Sequence, residues 1–502
     1  MVVQHNMQAM NANRMLNVTT SAQSKSTEKL SSGYKINRAA DDAAGLTISE
    51  KMRKQIRGLD QASTNAQDGV SSVQTAEGAL TEVHSMLQRM NELATQAANG
   101  TNSKDSDRQA IQDEIDQLTT EIDRVSETTK FNETYLLKGE AGTKTINMKA
   151  HDAGLKGTLT DNGDGTATFV MDTLNAGDKV SIGGKSYTIG SDDAEVDKWF
   201  TDNGNDVKDA ENKKVTVNGT EYTYYAAKAA NTTAGNLTDG WSAGWYASAP
   251  KDKGDGTGTP LSGKFTNVAA IKAEVKKGAT VQNGTKSITG MNDTATPPDG
   301  VSDTDATVIS KNKAYELASK ELLKANQIGD TEGNAKVGTG ADVDVAVDLT
   351  HGDGTFSIKV GQAKVANSLA FSLHVGADAD MTNKIQVNID AMDSASLGIK
   401  GLNVKDDSGN AATYAVDAIS DAISKVSSQR SSLGAVQNRL EHTINNLDNV
   451  VENTTTAESR IRDTDMAEEM VNYSKNNILA QAGQSMLAQA NQSNQGVLSL
   501  LQ

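Results

Sequence analysis

The chain has 502 residues, no cysteine and a formal net charge of −17, and only 36% of its residues are hydrophobic and 4% aromatic. This length exceeds what one hydrophobic core usually serves, so we expect roughly two to four domains. The absence of cysteine excludes disulfides and thiolate metal sites, and the acidic balance argues against nucleic acid as a partner. Because no apolar run approaches the roughly 20 residues that span a bilayer, we also expect no membrane insertion and no cleaved signal peptide.

The N-terminal part of the chain carries a long apolar stripe and no proline, since all four prolines lie between residues 250 and 298. One heptad position holds Met52, Leu59, Ala66, Val73, Leu80, Leu87 and Ala94. This spacing predicts one long helix that ends near Asn99 and Gly100, residues suited to a helix C-terminus.

Two further stripes have the same period. The second predicts a helix that packs back antiparallel on the first, and it holds Ile111, Ile115, Leu118, Ile122 and Val125. The third lies near the C-terminus and holds Ile419, Val426, Leu433, Leu440, Leu447, Thr454 and Ile461. Because one amphipathic helix cannot bury its own stripe, we expect the three helices to form one bundle.

The middle of the chain, residues 141–369, is rich in Gly, Asp, Thr and Asn around short alternating runs. "KVSIGGKSYTI" (Lys179–Ile189) and "KVTVNGTEYTYY" (Lys214–Tyr225) predict β-hairpins, since Gly-Gly and Asn-Gly tolerate tight turns. One helix is expected over Ala314–Asn326. A weak repeat, "LTDNGDGTATF" from Leu159 and "LTHGDGTFSI" from Leu349, indicates either two related strand units or two similar turns.

The extreme ends, residues 1–40 and 465–502, can form helices but carry few apolar anchors. Their apolar area is too small to offset the entropy of ordering, so we expect them to order only against a partner.

No motif in the sequence supports catalysis or a cofactor. "DNGDGT" (Asp161–Thr166) lacks the alternate ligands and final Glu of a calcium loop, so a β-turn is the better interpretation. The six histidines are scattered without metal-ligand spacing, and no phosphate loop or nucleophile elbow is present. We therefore predict that the protein is not an enzyme and has no metal site.

Three long stretches resemble the terminal regions of bacterial flagellin. They are "LSSGYKINRAADDAAGLTISEKMRKQIRGLDQASTNAQDGVSSVQTAEGAL" from Leu30, "RSSLGAVQNRLEHTINNL" from Arg430 and "ILAQAGQSMLAQANQSNQGVLSLLQ" from Ile478. "TKFNETYLLKG" (Thr129–Gly139) and the expected hairpin within Phe371–Val404 are also similar to the family. The resemblance covers residues 1–140 and 370–502.

The resemblance implies an α+β multidomain fold, with a long α-helical coiled-coil bundle formed by the paired N- and C-terminal regions and a β-rich inserted outer region. We expect an inner terminal-helix domain (1–42 and 461–502), disordered in the monomer and ordered in the filament. A helical rod domain with a β-hairpin (43–140 and 370–460) and one or more variable outer domains (141–369) complete the prediction.

The function that the resemblance implies is a structural subunit that polymerises into the extracellular flagellar filament for motility. Its expected partners are other copies of the chain, an export chaperone, the type III export apparatus, and the filament cap and junction proteins. The residues expected to support polymerisation are Val3, Met7, Leu16, Ile478, Leu479, Met486, Leu487, Val497, Leu498 and Leu501.

A second surface is implied by "LQRMNELATQAANG" (Leu87–Gly100). In flagellins that Toll-like receptor 5 recognises, the corresponding motif is close to "LQRxRELxxQ", with a contribution from a glutamate on the next helix. The matching positions here are Gln88, Arg89, Glu92, Leu93 and Gln96, followed by Ile111 and Glu114. We interpret them as an intersubunit contact that a host receptor can reach when the filament dissociates, with Leu87, Met90, Ala94 and Ala97 forming the helix seam.

Asn91 departs from this pattern, because the family usually has an arginine there. The simpler alternative is that Arg89 and Glu92 form a solvated helix face with weak ion pairs. For the whole chain, the alternatives are a hook–filament junction protein, which shares similar ends, and a filament subunit with an adhesive outer domain.

Overall fold

A computed structural model of the chain describes residues 6–99, 101, 106–229, 240–251, 263–295, 299–339, 354–406 and 409–499. The helices are α1 (Met7–Ser32), α2 (Ala43–Ala97), α3 (Asp107–Thr128), α4 (Asp193–Asp202), α5 (Val268–Val275), α6 (Lys311–Asn326), α7 (Ser394–Leu397), α8 (Asn410–Arg462) and α9 (Met466–Ser499).

The strands of the first half are β1 (Lys130–Phe131), β2 (Thr134–Tyr135), β3 (Glu140–Asn147), β4 (Gly157–Asp161), β5 (Thr166–Met171), β6 (Lys179–Ile182), β7 (Lys185–Gly190), β8 (Lys214–Val217), β9 (Thr220–Tyr225) and β10 (Gly244–Tyr246). Those of the second half are β11 (Thr280–Asn283), β12 (Lys286–Thr289), β13 (Val308–Ser310), β14 (Lys336–Thr339), β15 (Thr355–Lys359), β16 (Gln362–Asn367), β17 (Leu369–His374) and β18 (Lys384–Ile389).

The chain divides into two compact units, and the long helices α2 and α8 contribute residues to both. Unit 1 comprises Met1–Thr75, Ala370–Asn388 and Ser431–Gln502, and unit 2 comprises Ala76–Leu369 and Ile389–Arg430. This division differs from the three domains expected from the sequence, whose boundaries stay a prediction.

The three expected long helices are present as α2, α3 and α8. On α2 the heptad stripe is buried from Ala66 to Ala94, while Met52 and Leu59 are half-buried. On α8 the stripe is buried from Ile419 to Leu447 and half-buried beyond it. The end of α2, which the pattern predicted near Asn99 and Gly100, lies at Ala97. Gly100 is outside the described residues.

Within unit 2, α3 runs back along α2 as expected. The buried Arg108 near the start of α3 donates from Nε to the carbonyl oxygen of Ala97 at 3.0 Å. Farther along α3, Glu114 contacts Arg89, which lies earlier on α2. Later residues of α3 therefore lie beside earlier residues of α2, which confirms the antiparallel packing.

Within unit 1, the expected hairpin forms from β17 and β18, a two-stranded sheet. Val375 and Ile385 at this hairpin pack with Ala66 of α2 and Leu440 of α8 in one hydrophobic cluster. Gly69 permits this close approach, because a Cβ atom there would lie only 2.2 Å from Leu373 Cδ1.

The middle region of the chain begins and ends with two strands that pair with each other, since β3 and β16 form a two-stranded antiparallel ribbon. The expected hairpins are confirmed: β6 pairs with β7 and β8 with β9, and their turns hold the positive φ angles of Gly183, Gly184, Asn218 and Gly219. The helix expected over Ala314–Asn326 is also confirmed, as α6, which begins three residues earlier at Lys311.

Two large hydrophobic clusters stabilise this middle region. The first packs α6 on the sheets β14-β15-β5-β4 and β13-β7-β6, around residues such as Phe169, Leu322 and Phe356. The second packs α4 and α5 on the sheet β10-β9-β8-β11-β12, around Val196, Trp245 and Ile271. A smaller cluster joins Met148, Ala363 and Val365 at the β3–β16 ribbon to Ala395 of α7.

The two copies of the weak internal repeat contain strands that pair with each other. The β5 segment of the first copy pairs antiparallel with β15 of the second, and Phe169 lies opposite Phe356 with ring centroids 6.4 Å apart. The start of the second copy, residues 349–353, lies outside the described residues. The two copies are thus strand units of one sheet.

Candidate interaction surfaces

The Arg89 surface is formed by the exposed side chains of α2 and α3 around Arg89. Its guanidinium donates from Nε to Glu114 Oε1 at 2.9 Å and from Nη1 to Glu92 Oε2 at 3.3 Å. The hydrogen bonds that Arg89 donates, first to Glu114 and then to Glu92, raise the pKa of Arg89 above its usual value. Both carboxylates hold the guanidinium in place, so the surface presents an ordered mixed-charge patch rather than a free cation.

The other polar positions predicted for this surface also lie on the exposed side of α2. Gln88 contacts His84 through the two Nε2 atoms, which are 3.1 Å apart, and Gln96 is exposed. Asn91 is different, because it is half-buried and its Oδ1 is a buried atom without a hydrogen-bond partner in the described residues. The position that departs from the family motif is therefore also one where the local hydrogen bonding is incomplete.

The structure corrects the orientation expected for two of these residues. Leu93 is 2% exposed and Ile111 is 6% exposed, so both belong to the buried faces of their helices. The buried face of a helix can be wider than a strict heptad seam, and Leu93 lies on this wider face. Both side chains are therefore buried in the single subunit, and their part in an intersubunit or receptor contact stays a prediction.

The second surface lies on the paired terminal helices α1 and α9. Asn6 caps α1 by accepting a hydrogen bond from the Ala9 amide at 3.0 Å, and its Nδ2 donates to the carbonyl oxygen of Ala490 on α9 at 3.0 Å. Leu16 packs near Gly483, where a Cβ atom would lie 3.4 Å from Leu16 Cδ1, an ordinary van der Waals contact. The pair buries very little, since Ser26 is the buried residue of α1.

Most large apolar side chains of this pair are exposed. We call the exposed set the terminal apolar surface: Met7, Met10, Met15, Val18, Met466, Met470, Val471, Ile478, Leu479 and Met486. Of the predicted polymerisation residues, Met7, Ile478, Leu479 and Met486 belong to it, while Leu16 and Leu487 are half-buried. Val3 and Leu501 lie outside the described residues, as do the side chains of Val497 and Leu498 on α9.

The described residues hold no cluster of His, Asp and Glu that could bind a metal ion. In "DNGDGT" the carboxylates cap their own turn: Asp161 accepts from the Gly163 amide at 2.8 Å and Asp164 from the Thr166 amide at 2.9 Å. None of the helices in the described ranges is long and apolar enough to cross a membrane.

Comparisons with known proteins identify the family. A model of the bacterial flagellin N-terminal helical region matches residues 3–142, and one of the C-terminal helical region matches residues 416–501. Flagellin of Clostridium tyrobutyricum is 36% identical over 499 residues, covering 99% of this chain and 100% of that protein. The chain belongs to the bacterial flagellins. Flagellin of Bacillus subtilis is 34% identical with all of both chains covered, and flagellin C of Vibrio anguillarum is 34% identical with 99% of both covered.

This flagellin is therefore a structural subunit that polymerises into the bacterial flagellar filament, and it is not an enzyme. As such it is an exported, extracellular component of the flagellum. The α+β fold with helical terminal regions and a β-containing middle agrees with this family. The full-length match to proteins named flagellin favours the filament subunit over the junction protein considered from the sequence.

Proposed function

We propose that the terminal apolar surface forms the contacts between subunits in the filament. The observation that carries this proposal is the row of exposed apolar side chains along α1 and α9. Many exposed large apolar side chains on one helix pair are unusual on a protein that stays monomeric, and they mark an interaction site. Because the surface extends along both helices of the pair, each subunit offers it to more than one neighbour.

The energetics support assembly as the source of order for these helices. Burying one Ile or Met side chain contributes roughly 1.5–3 kcal/mol, and α1 and α9 leave most of theirs unburied in the single chain. We infer that the pair is only marginally stable in the monomer and becomes stable when a neighbouring copy covers it.

The first experiment deletes Gln484–Gln502 and measures filament formation by electron microscopy and helicity by circular dichroism. We expect the deletion to abolish filaments while the rest of the subunit keeps its structure. A deletion variant that polymerised normally would show that the C-terminal part of α9 makes no essential contact.

Point substitutions test the same surface without shortening the chain. The double variant I478Q/M486Q removes two exposed apolar groups, and we expect the critical concentration for polymerisation to rise roughly tenfold or more. The matched control is S474Q, at another exposed position of α9. An equal rise in the control would mean that glutamine at any exposed position of α9 disturbs assembly. That result would contradict a specific apolar contact.

We also propose that the Arg89 surface is covered by a neighbouring subunit in the filament and binds Toll-like receptor 5 when subunits are released. The support is the similarity of Gln88, Arg89, Glu92 and Gln96 to the receptor motif, together with the exposed Glu114 that orders Arg89. In this proposal Arg89 and Glu114 act together, because Glu114 orders the guanidinium of Arg89, and without Glu114 only Glu92 would hold it.

Reporter cells that express the receptor test this second surface. We expect R89A monomer to need a roughly tenfold higher concentration than the unmodified monomer, since interface arginines often dominate binding. R124A is the control, because Arg124 on α3 forms a similar exposed ion pair with Glu121. Equal responses to R89A and the unmodified monomer, or full response to cross-linked filaments, would contradict the proposal.

Before assembly, we propose, an export chaperone covers the terminal apolar surface and delivers the subunit to the type III export apparatus. The subunit then adds at the filament end beneath the cap protein, on a base formed by the junction proteins. In a strain without a working flagellar export apparatus, the protein should accumulate inside the cell. Its appearance in the medium of that strain at normal levels would exclude this route.

A further inference from the structure

A cavity of about 300 Å³ lies in unit 2 on the side of α8, outside both surfaces described above. We call it the Lys425 pocket. Residues from the end of the β3 ribbon, from the segment after α6, from α7 and from α8 line it, among them Met148, Ile328, Leu397, Ser424, Lys425 and Ser428. Its volume is at the lower end of the range for small-molecule sites.

One wall of the pocket is apolar. Met148, Ile328 and Leu397 bring their side chains to it from three different segments of the chain. Gly398 keeps the space beside this wall open, because a Cβ atom there would lie 2.9 Å from Met148 Sδ and 3.9 Å from Lys425 Nζ.

The opposite side carries a positive charge that has no carboxylate partner. Lys425 Nζ donates to the carbonyl oxygen of Ser396 at 3.3 Å, and no carboxylate of the described residues lies within ion-pair distance of it. An ammonium group has three donors, so this long contact leaves most of its capacity unused. Surrounding protein atoms desolvate the group and lower the pKa of Lys425, although its side chain remains reachable from solvent.

The acidic residue nearest to this lysine is already engaged. Asp421 lies one turn earlier on α8, and its Oδ1 accepts from Lys149 Nζ at 2.9 Å. Its Oδ2 is 3.6 Å from His151 Nε2, a charge contact that is too long for a hydrogen bond. Asp421 therefore pairs directly with Lys149, and it acts on Lys425 only over a longer distance, where its charge partly offsets the effect of desolvation on the pKa of Lys425.

We propose that the Lys425 pocket binds a small monocarboxylate with a short aliphatic body. The carboxylate accepts from Lys425 Nζ and from the hydroxyl of Ser428, since the Ser424 hydroxyl already donates to the carbonyl oxygen of Ser420. The aliphatic body lies against the wall of Met148, Ile328 and Leu397. A ligand of this kind gives Lys425 a direct ion-pair partner and covers apolar surface at the same time. This binding would be a property of unit 2, separate from polymerisation.

Acetate, propionate and butyrate are the probes, with propylamine and chloride as comparison solutes. Full-length protein labelled at the methionine methyl groups reports binding through the Met148 resonance, which a M148L variant assigns. We expect saturable shifts with affinity rising roughly fourfold for each added CH₂ group that is buried. Equal shifts from propylamine or chloride, or no saturable shift from any acid, would overturn the proposal.

Substitutions separate the charge from the fold. K425M should weaken butyrate binding roughly tenfold or more, because it removes a charge-assisted hydrogen bond, while K400M, at an exposed lysine outside the pocket, should leave it unchanged. D421N should tighten binding, since it removes the nearest negative charge without changing side-chain size. Weaker binding by D421N, or equal losses in K425M and K400M, would contradict the assignment.

Discussion

Helices α1 and α9 expose the kind of side chain that the middle of the chain buries. Met7 and Ile478 are 70% and 67% exposed, whereas Phe169 and Phe356 in the sheet β14-β15-β5-β4 are 0% and 1% exposed. The same apolar chemistry thus serves folding in one region and remains available for assembly in the other. The physical difference is whether the chain itself can surround the side chain, and the predictions below test that difference.

The largest expected effect is at Phe169. F169A removes a buried aromatic ring that stacks on Phe356, and we expect a loss of about 3–5 kcal/mol in the stability of this sheet. The adjacent Val170 is 45% exposed, so V170A should cost less than about 1 kcal/mol. Hydrogen exchange of β5 and β15 amides measures both. Similar losses for the two variants would mean that burial does not decide stability here.

A buried polar contact should have the next largest effect. The Tyr414 hydroxyl on α8 donates to Glu321 Oε2 on α6 at 2.7 Å, and burial together with this bond raises the pKa of Tyr414. Y414F should destabilise the packing of α6 on α8 by about 1–3 kcal/mol, because the bond is to a charged group. Urea unfolding compares it with Y135F, at an exposed tyrosine, which should behave like the unmodified protein.

A smaller, pH-dependent effect is expected at Asp330. Partial burial opposes ionisation, but amides of Ala335, Gln362, Glu332 and Gly333 donate to the carboxylate and lower the pKa of Asp330 overall. A lowered folded pKa contributes stability above the unfolded value of about 4, and this stability is lost as the pH falls through the folded value.

D330N tests this contribution, because the amide cannot accept all of these bonds. Hydrogen exchange of the segment after α6 should show a deficit in D330N that is largest above about pH 4 and shrinks at lower pH. A deficit that stayed constant across this range would assign the effect to packing instead of charge.

The smallest effect on the single subunit is expected on α1. Met10 is exposed, so M10Q should change the thermal stability of the monomer by less than about 0.5 kcal/mol. L16A, at the half-buried contact with Gly483, should cost more. Circular dichroism on heating measures both, and a large loss in M10Q would show that α1 already has a buried apolar face in the monomer.

Local patterns predicted the elements that depend on neighbouring residues. The heptad stripe located α2 and α8, and the buried positions Val73, Leu80 and Leu87 agree with it. Turn chemistry located the hairpins at Gly183-Gly184 and Asn218-Gly219. These features succeed because helix periodicity and positive φ angles are properties of a few consecutive residues.

The family motifs likewise placed the polar Arg89 surface on α2, but the orientation of Leu93 and Ile111 required the fold. A helix face is buried to the width that its neighbours can cover, and the sequence of one helix does not contain that width. The burial of Arg108, whose guanidinium holds the start of α3 to Ala97 and Asp406, had no sequence signal at all.

By itself, the sequence determined the family, the long helices, the hairpins and the polar character of the Arg89 surface. The tertiary structure alone decided the ribbon of β3 with β16, the pairing of β5 with β15, the two large hydrophobic clusters of the middle region and the Lys425 pocket. These features join residues far apart in the chain. Which segments come together depends on the free energy of the whole unit, and a pattern of neighbouring residues cannot predict it.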